Sequence, residues 1–365
     1  MTLDSQTTCV VKPISDDAKR RIREALWAAV QEELGAQTQI LGAERTQPAI
    51  LGPWSMLTSD SGVWDVGMHP SPELYREIRG RLSDTSVKEL LLAASGVKVS
   101  RLSVSDVEIQ FLSSLADQFE FFLLASDERY LPLCDVGKGD YCNAFEQIAG
   151  PDEAGSLRNV YIASDKSLVE AAKLLEKTVD DELFGALLGI PHCCRNAYQR
   201  FLPIASAKQF DLVPLVLENT LGPLSYDSWL NYPAVYFGRT LLSFFPCSFR
   251  CTAARTVARS TYRFLSECDE AWANSFVDLQ RSNILYTEYQ GVHLFRQPLV
   301  DGWIRYGPDD VSSTEPTELA GVIRRGDRLE VCGKRLAHIY SGGERIAILQ
   351  GEDIGVCVFF EISHR

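Results

Sequence analysis

The chain has 365 residues, of which 45% are hydrophobic and 23% charged, enough for two or three domains with a sizeable core and no need of disulfide staples. Its formal net charge is -13 and its pI is near 5.0. This balance argues against nucleic acid or an anionic membrane surface as the main partner.

Residues 1–14 read as a loose tail with no basic segment leading into an apolar run, and no stretch approaches the roughly 20 apolar residues of a membrane span. The expected compartment is therefore the cytoplasm, where ten cysteines point to metal binding, catalysis or simple burial. A helix is expected from Ser15, with Ile22, Leu26, Val30 and Leu34 along one stripe. Residues 45–70 read as loop, anchored by Trp54 and Trp64. Ser71-Pro72-Glu73 is a helix start, and that helix is expected to carry Leu74, Ile78 and Leu82; another follows over roughly residues 86–95.

From Val97 to Ile109 the pattern alternates in part, and Phe119 to Leu124 reads as a buried strand. Tyr130 to Cys134 and Asn159 to Ala163 are further strands, and Ser164-Asp165 caps a helix reaching Thr178. Residues 180–282 look mostly helical, with an irregular aromatic stretch over 221–238, a long helix over 247–266 and another over 269–280. Beyond 283, a hairpin turning at Gln290-Gly291 and short strands, Val322-Ile323 among them, suggest a small β module. The expected class is α+β. Its parts are an N-terminal helical region (1–96), a small α/β unit (97–178), a helical cysteine-bearing region (179–282) and a C-terminal β-sheet or barrel module (283–365).

Two short segments hold four of the cysteines: Pro191-His192-Cys193-Cys194 and Pro246-Cys247-Ser248-Phe249-Arg250-Cys251. Were residues 248 onward helical, Cys247 and Cys251 would share one face, with Cβ atoms roughly 5–6 Å apart, and Arg255 and Arg259 would extend the stripe as anchors for an anion or as partners of acids. Cys193 and Cys194, adjacent at a helix start, would point about 100° apart, so one is expected to ligate while the other reacts or packs. The helix start itself favours a thiolate. An iron–sulfur cluster is the first expectation for the centre. Zinc or mononuclear iron is the second, and a dithiol pair or inert buried cysteines remain open. The remaining cysteines, Cys332 among them, read mostly as small hydrophobes, and His69, His293, His338 and His364 show no ligand spacing. No phosphate-binding loop, dinucleotide fingerprint or serine elbow occurs.

The run from Asn159 through Leu188-Gly189-Ile190-Pro191-His192-Cys193-Cys194 to Pro246-Cys247-Ser248-Phe249-Arg250-Cys251 resembles a cysteine-containing domain family of unknown function found mainly in archaea. Its members carry Leu-Gly-aromatic-Pro-x-Cys-Cys and Pro-Cys-Ser-x-x-Cys segments; here Ile190 stands at the aromatic position. The resemblance covers about residues 159–260 and implies a shared site with no reaction attached.

The leading functional expectation is an enzyme of redox, sulfur-transfer or lyase type acting on a small anionic metabolite. His192, Tyr198 and Asp227 would be its proton-transfer groups, Arg255, Arg259, Arg239 and Asn231 its substrate contacts, and a homodimer its assembly. The second is a non-catalytic protein with a structural zinc site and a partner-binding β module.

Overall fold

In a computed structural model, residues 69–133, 136–139, 141–142, 144–148, 155–178, 181–206, 210–351 and 354–360 are described. The expected tail, the helix from Ser15, and Trp54 and Trp64 lie outside them. Among the described residues the architecture is α+β, with helices packed among four small sheets.

The first described helix, α1 (Pro72–Ile78), begins where expected. The Ser71 hydroxyl accepts from the Leu74 N–H, and Leu74 and Ile78 are buried. It stops at Ile78, before Leu82, because Gly80 takes φ +79 and breaks the helical path. Helix α2 (Asp84–Ala94) follows, then β1 (Ser100–Val104), whose burial alternates residue by residue. The alternation ends at Ser105, where a capping box with Glu108 opens α3 (Asp106–Phe119), a helix the sequence reading did not expect. Strand β2 (Phe122–Ala125) forms, but not as a buried strand. It sits at the edge of its sheet, and Phe122 is 42% exposed.

A three-stranded antiparallel sheet in the order β1-β5-β2 is built on β5 (Arg158–Ala163). Val160 and Ile162 face the main core with α2, while Tyr161 and Ala163 face a second core under α4 (Lys166–Thr178). Strands β3 (Arg129–Leu133) and β4 (Ala144–Ile148) form a separate hairpin. Helices α5 (Asp181–Leu187), α6 (His192–Ala205) and α7 (Val213–Glu218) lead to β6 (Ser225–Asp227) and two 3-10 turns, Ser228–Leu230 and Tyr232–Phe237. The long helix α8 spans Thr252–Cys268, starting five residues later than expected, and α9 spans Glu270–Gln280.

The C-terminal part contains two five-stranded sheets. One has the order β11-β8-β7-β15-β6, from β7 (Asn283–Thr287), β8 (Val292–Phe295), β11 (Val311–Ser313) and β15 (Ile354–Phe360). Its end pair, β15 with β6, is parallel, so the last strand lies beside the loop that precedes the second cysteine segment. The other has the order β14-β13-β12-β10-β9, from β9 (Leu299–Val300), β10 (Trp303–Arg305), β12 (Arg328–Gly333), β13 (Leu336–Ser341) and β14 (Glu344–Gln350). Val322 and Ile323, expected in a strand, belong to α10 (Glu318–Arg325), which Thr317 caps and which packs Leu319 and Ile323 into the core under this sheet.

A buried charge cluster fixes the chain just ahead of the second cysteine segment. Lys88 on α2 is fully buried and donates to the Thr240 carbonyl at 2.8 Å. Glu89 pairs with Lys88 at 3.1 Å and with Lys98 at 2.5 Å, and it accepts from the Ser243 hydroxyl. Burial pushes the Lys88 amine down to about 8. Burial alone would raise the Glu89 carboxyl, but the charges of Lys98 and Lys88 outweigh it and hold that carboxyl well below its usual range. The carboxylate lies between two ammonium groups that have lost their water, so Glu89→Gln should cost about 3–5 kcal/mol, read as a lowered denaturant midpoint.

His293 in β8 is fully buried. Its Nε2–H faces the Gln290 carbonyl at 3.2 Å and its Nδ1 the Ser313 hydroxyl at 2.8 Å. Burial pushes its pKa down to about 4. As pH falls below the unfolded value of about 6.5, the unfolded chain takes up a proton that the folded chain refuses, so stability falls. Urea titrations between pH 6.5 and pH 4 should show this histidine costing up to about 3 kcal/mol, a loss that His293→Gln removes.

Candidate metal centre

Helix α5 ends at Leu187, and Gly189 follows at φ +72. The Gly189 and Ile190 N–H groups donate back to the Ala186 and Gly185 carbonyls, closing the helix end. Pro191 then takes φ -57 and ψ 143 and becomes the residue before α6. The Leu-Gly-Ile-Pro run is thus a stop followed by a restart, and it puts Cys193 and Cys194 in the first turn of a helix, at the positive end of its dipole.

The second segment is not helical. Residues 246–250 are irregular, and Cys251 is the N-cap of α8, its Sγ accepting from the Ala254 N–H at 3.4 Å. Sulfur takes the place that a serine or aspartate oxygen usually fills. The expected helical face joining Cys247 to Cys251 therefore does not exist; the stripe starts at Cys251. Contacts on both sides pin the loop. Phe249 is buried, and its N–H donates to Thr220 Oγ1 at 2.9 Å. Asn219 Nδ2 donates to the Cys247 carbonyl at 2.7 Å, and the Arg250 guanidinium donates to the Pro223 and Ser225 carbonyls at 2.8 and 2.6 Å.

All four sulfurs converge, with every pair within 4.8 Å. Cys193 lies 3.9 Å from Cys194 and 3.6 Å from Cys251, and Cys194 lies 3.8 Å from Cys251. The first helical turn brings the sulfurs of Cys193 and Cys194 together, so both are placed where they could ligate. Cys194 and Cys251 are buried, Cys247 is half-buried and Cys193 is exposed. The Cys247 N–H also donates to the Cys194 sulfur at 3.3 Å.

Without a cation, the four thiols must share protons. Hydrogen bonds from Cys193, Cys194 and Cys247 hold the Cys251 thiol well below its usual range, with help from the Ala254 N–H, and Cys194 and Cys247 hold Cys193 down. Cys194 and Cys247 are pushed up in turn. Four thiolates this close repel one another, so only a bound cation lets all four ionise together.

The other expected site residues are more scattered. His192, exposed, lies 3.2 Å from Glu182 and 3.0 Å from Asn196 Nδ2. Tyr198 lies one helical turn beyond Cys194; burial, and then the Asp181 charge, raise its pKa. Asp227 is 7% exposed, caps the 3-10 turn at Trp229 and pairs with Arg255 at 3.2 Å. Arg259 stacks over Trp229, Arg239 pairs with Asp84 at 2.6 Å, and Asn231 is fully buried on the Gln280 and Ser282 carbonyls. Only Arg255 and Asp227 of these meet each other.

A cavity of about 490 Å³ adjoins the centre, with Cys194 and Tyr198 in its wall beside Arg101, Ser243 and Phe244. No motif in the sequence marks this cavity. Its wall joins β1, α6 and the loop around 243, residues far apart in the chain with no shared motif. A second convergence, Glu330, Cys332 and His338, was also missed. Its signal was present, since Glu330 and Cys332 alternate on one strand and His338 faces Glu330 across a tight hairpin.

Searches against protein-family models, curated proteins and solved structures find no match for the chain.

In chelator-treated protein, iodoacetamide should modify Cys193 first among the four, because it is exposed and its thiol is held down. Loading with zinc should protect all four cysteines. Peptide mass mapping that finds the same rates with and without zinc would contradict a shared centre.

Proposed function

We propose that the chain binds one metal ion through Cys193, Cys194, Cys247 and Cys251, that the ion's part is architectural, and that the adjoining cavity takes a small organic anion. The spacing of the sulfurs carries this reading. A single tetrahedral ion with metal–sulfur bonds of about 2.3 Å sets its ligands ~3.8 Å apart; the three separations among Cys193, Cys194 and Cys251 run from 3.6 to 3.9 Å, and Cys247 lies within 4.8 Å of each of them. A multi-iron cluster would spread its cysteines over different iron atoms with bonds radiating outward, so their sulfurs would stand further apart than a tetrahedron's edge. Zinc or mononuclear iron therefore fits better than a cluster.

Four thiolates fill a tetrahedron, whereas catalysis on zinc needs an open position. This favours a structural ion over a reaction carried out on the metal. A bound ion would neutralise the thiolates and tie the start of α6 to the start of α8. The cavity is within the size range of small-molecule sites; its wall also carries Glu176 and Asp181, and Arg101, stacked over Phe184, is the cation that would meet an anionic ligand there. Arg255 and Arg259 support this role less, since Asp227 and Trp229 already engage them.

One observation favours a second reading. Cys193 is exposed, so iron in the same four-sulfur site would have a route for single-electron exchange with a partner. Colour distinguishes the two, since a zinc protein is colourless and a ferric tetrathiolate absorbs strongly in the visible.

Elemental analysis should find one ion on these four cysteines, and Cys247→Ser should abolish it and lower the melting temperature. Metal content unchanged by Cys247→Ser contradicts the assignment.

A further inference from the structure

The outward face of the β14-β13-β12-β10-β9 sheet carries a second group of metal-ligating side chains. Strand alternation sends Leu329, Val331, Ala337 and Ile339 into the core beneath the sheet. The residues between them, Arg328, Glu330 and Cys332 on β12 with His338 and Tyr340 on β13, share the opposite face. Register places His338 directly across from Glu330, and Tyr340 across from Arg328. His338 Nδ1 lies 3.0 Å from Glu330 Oε2 and 3.6 Å from Cys332 Sγ, and all three donor atoms lie within 4.8 Å of one another. Around one tetrahedral ion with bonds of ~2.0–2.3 Å, nitrogen and sulfur ligands stand ~3.6 Å apart and nitrogen and oxygen ~3.3 Å. The first distance matches. The second is shorter by the difference between a ligand pair and the hydrogen bond an ion would replace. The Tyr340 hydroxyl donates to Glu330 Oε2 at 2.8 Å and orients the carboxylate from outside the donor set.

An anion anchor lies on the same face. The Arg328 guanidinium is stacked between the Trp303 and Tyr340 rings, 4.4 and 5.0 Å from their centroids. Its Nε is buried without a hydrogen-bond partner in the structure. With Trp303, Arg305 and Asp301 it lines a depression of about 280 Å³ beside the metal-ligating group, whose own residues lie outside that depression's wall. Stacking fixes the plane of the guanidinium and leaves its edge as the part that recognises an oxyanion.

We propose that Glu330, Cys332 and His338 hold one divalent transition-metal ion with a fourth position open, and that a small carboxylate takes that position with Arg328 as its second contact. A mixed oxygen, sulfur and nitrogen set suits zinc or cobalt rather than calcium or magnesium. Three protein ligands and one vacancy are the arrangement of a Lewis-acid site, unlike the closed four-cysteine centre. The two sites have no residue in common, so they can be tested separately.

The test uses the full-length chain, stripped of metal and titrated with cobalt(II) under reducing conditions. The wild-type protein should bind two equivalents, and Cys332→Ser and His338→Ala should each bind one. Cys332 is exposed, so its substitution leaves the core intact. Cys247→Ser should lose the other equivalent and keep this one, which separates failure of this site from failure of the four-cysteine centre. Acetate should then change the visible cobalt spectrum of the wild-type protein and not that of Cys332→Ser. Arg328→Met should weaken that response about tenfold by removing a charge-assisted contact. Metal stoichiometry that both Cys332→Ser and His338→Ala leave equal to that of the wild-type chain, whether one equivalent or two, overturns the site. Two bound equivalents with no acetate response overturn the open position.

Discussion

Four cysteine sulfurs brought within 4.8 Å of one another repel once ionised, and much of the central region is arranged to meet that cost. Two helices start at the sulfurs. Cys193 and Cys194 occupy the first turn of α6, and Cys251 caps α8, so the positive ends of two helix dipoles face the developing negative charge. Backbone N–H groups of Cys247 and Ala254 point at sulfur. These partial charges ease the ionisation of individual thiols, but only a cation neutralises four of them.

The position of each segment is set by contacts well away from the sulfurs. Gly189 and Pro191 decide where α6 starts. On the other side, the Lys88-Glu89-Lys98 cluster grips the carbonyls and hydroxyl of residues 240–243 from inside the core, and the chain then has only a few residues to run before Cys247. Phe249, Thr220 and Arg250 fix the remainder against α7 and β6. Since β6 pairs with β15, the last strand helps hold the wall of the centre. The β region beyond residue 283 and the cysteine region are thus joined by a shared sheet.

The two cysteine segments were legible because soft ligands flanked by proline are rare in one chain, and so were the helices with strong caps, such as those opened by Ser71 and Asp269. The geometry between the segments was not. Reading Cys247 and Cys251 as one helical face rested on i, i+4 spacing, but a residue that caps a helix sits outside it, and spacing alone does not separate a cap from a first turn. Whether Arg255 and Arg259 anchor an anion or pair within the chain could not be decided from spacing, because their partners, Asp227 and Trp229, come from a different element. The Ser105–Glu108 capping box was visible and outweighed by the partial alternation around it. Cys332 and His338 show no ligand spacing along the chain, and Glu330 carries no motif, because a β-hairpin brings residues together by register rather than by sequence spacing.

The central claim is that one metal ion sits inside four sulfurs. X-ray absorption at the metal edge of the protein as purified, with Cys332→Ser introduced to leave only this site, tests it most directly. The prediction is a first shell of four sulfur neighbours at about 2.3 Å with no metal–metal scattering. A metal neighbour beyond the sulfurs, or a shell containing oxygen or nitrogen in place of one or more sulfurs, would contradict it.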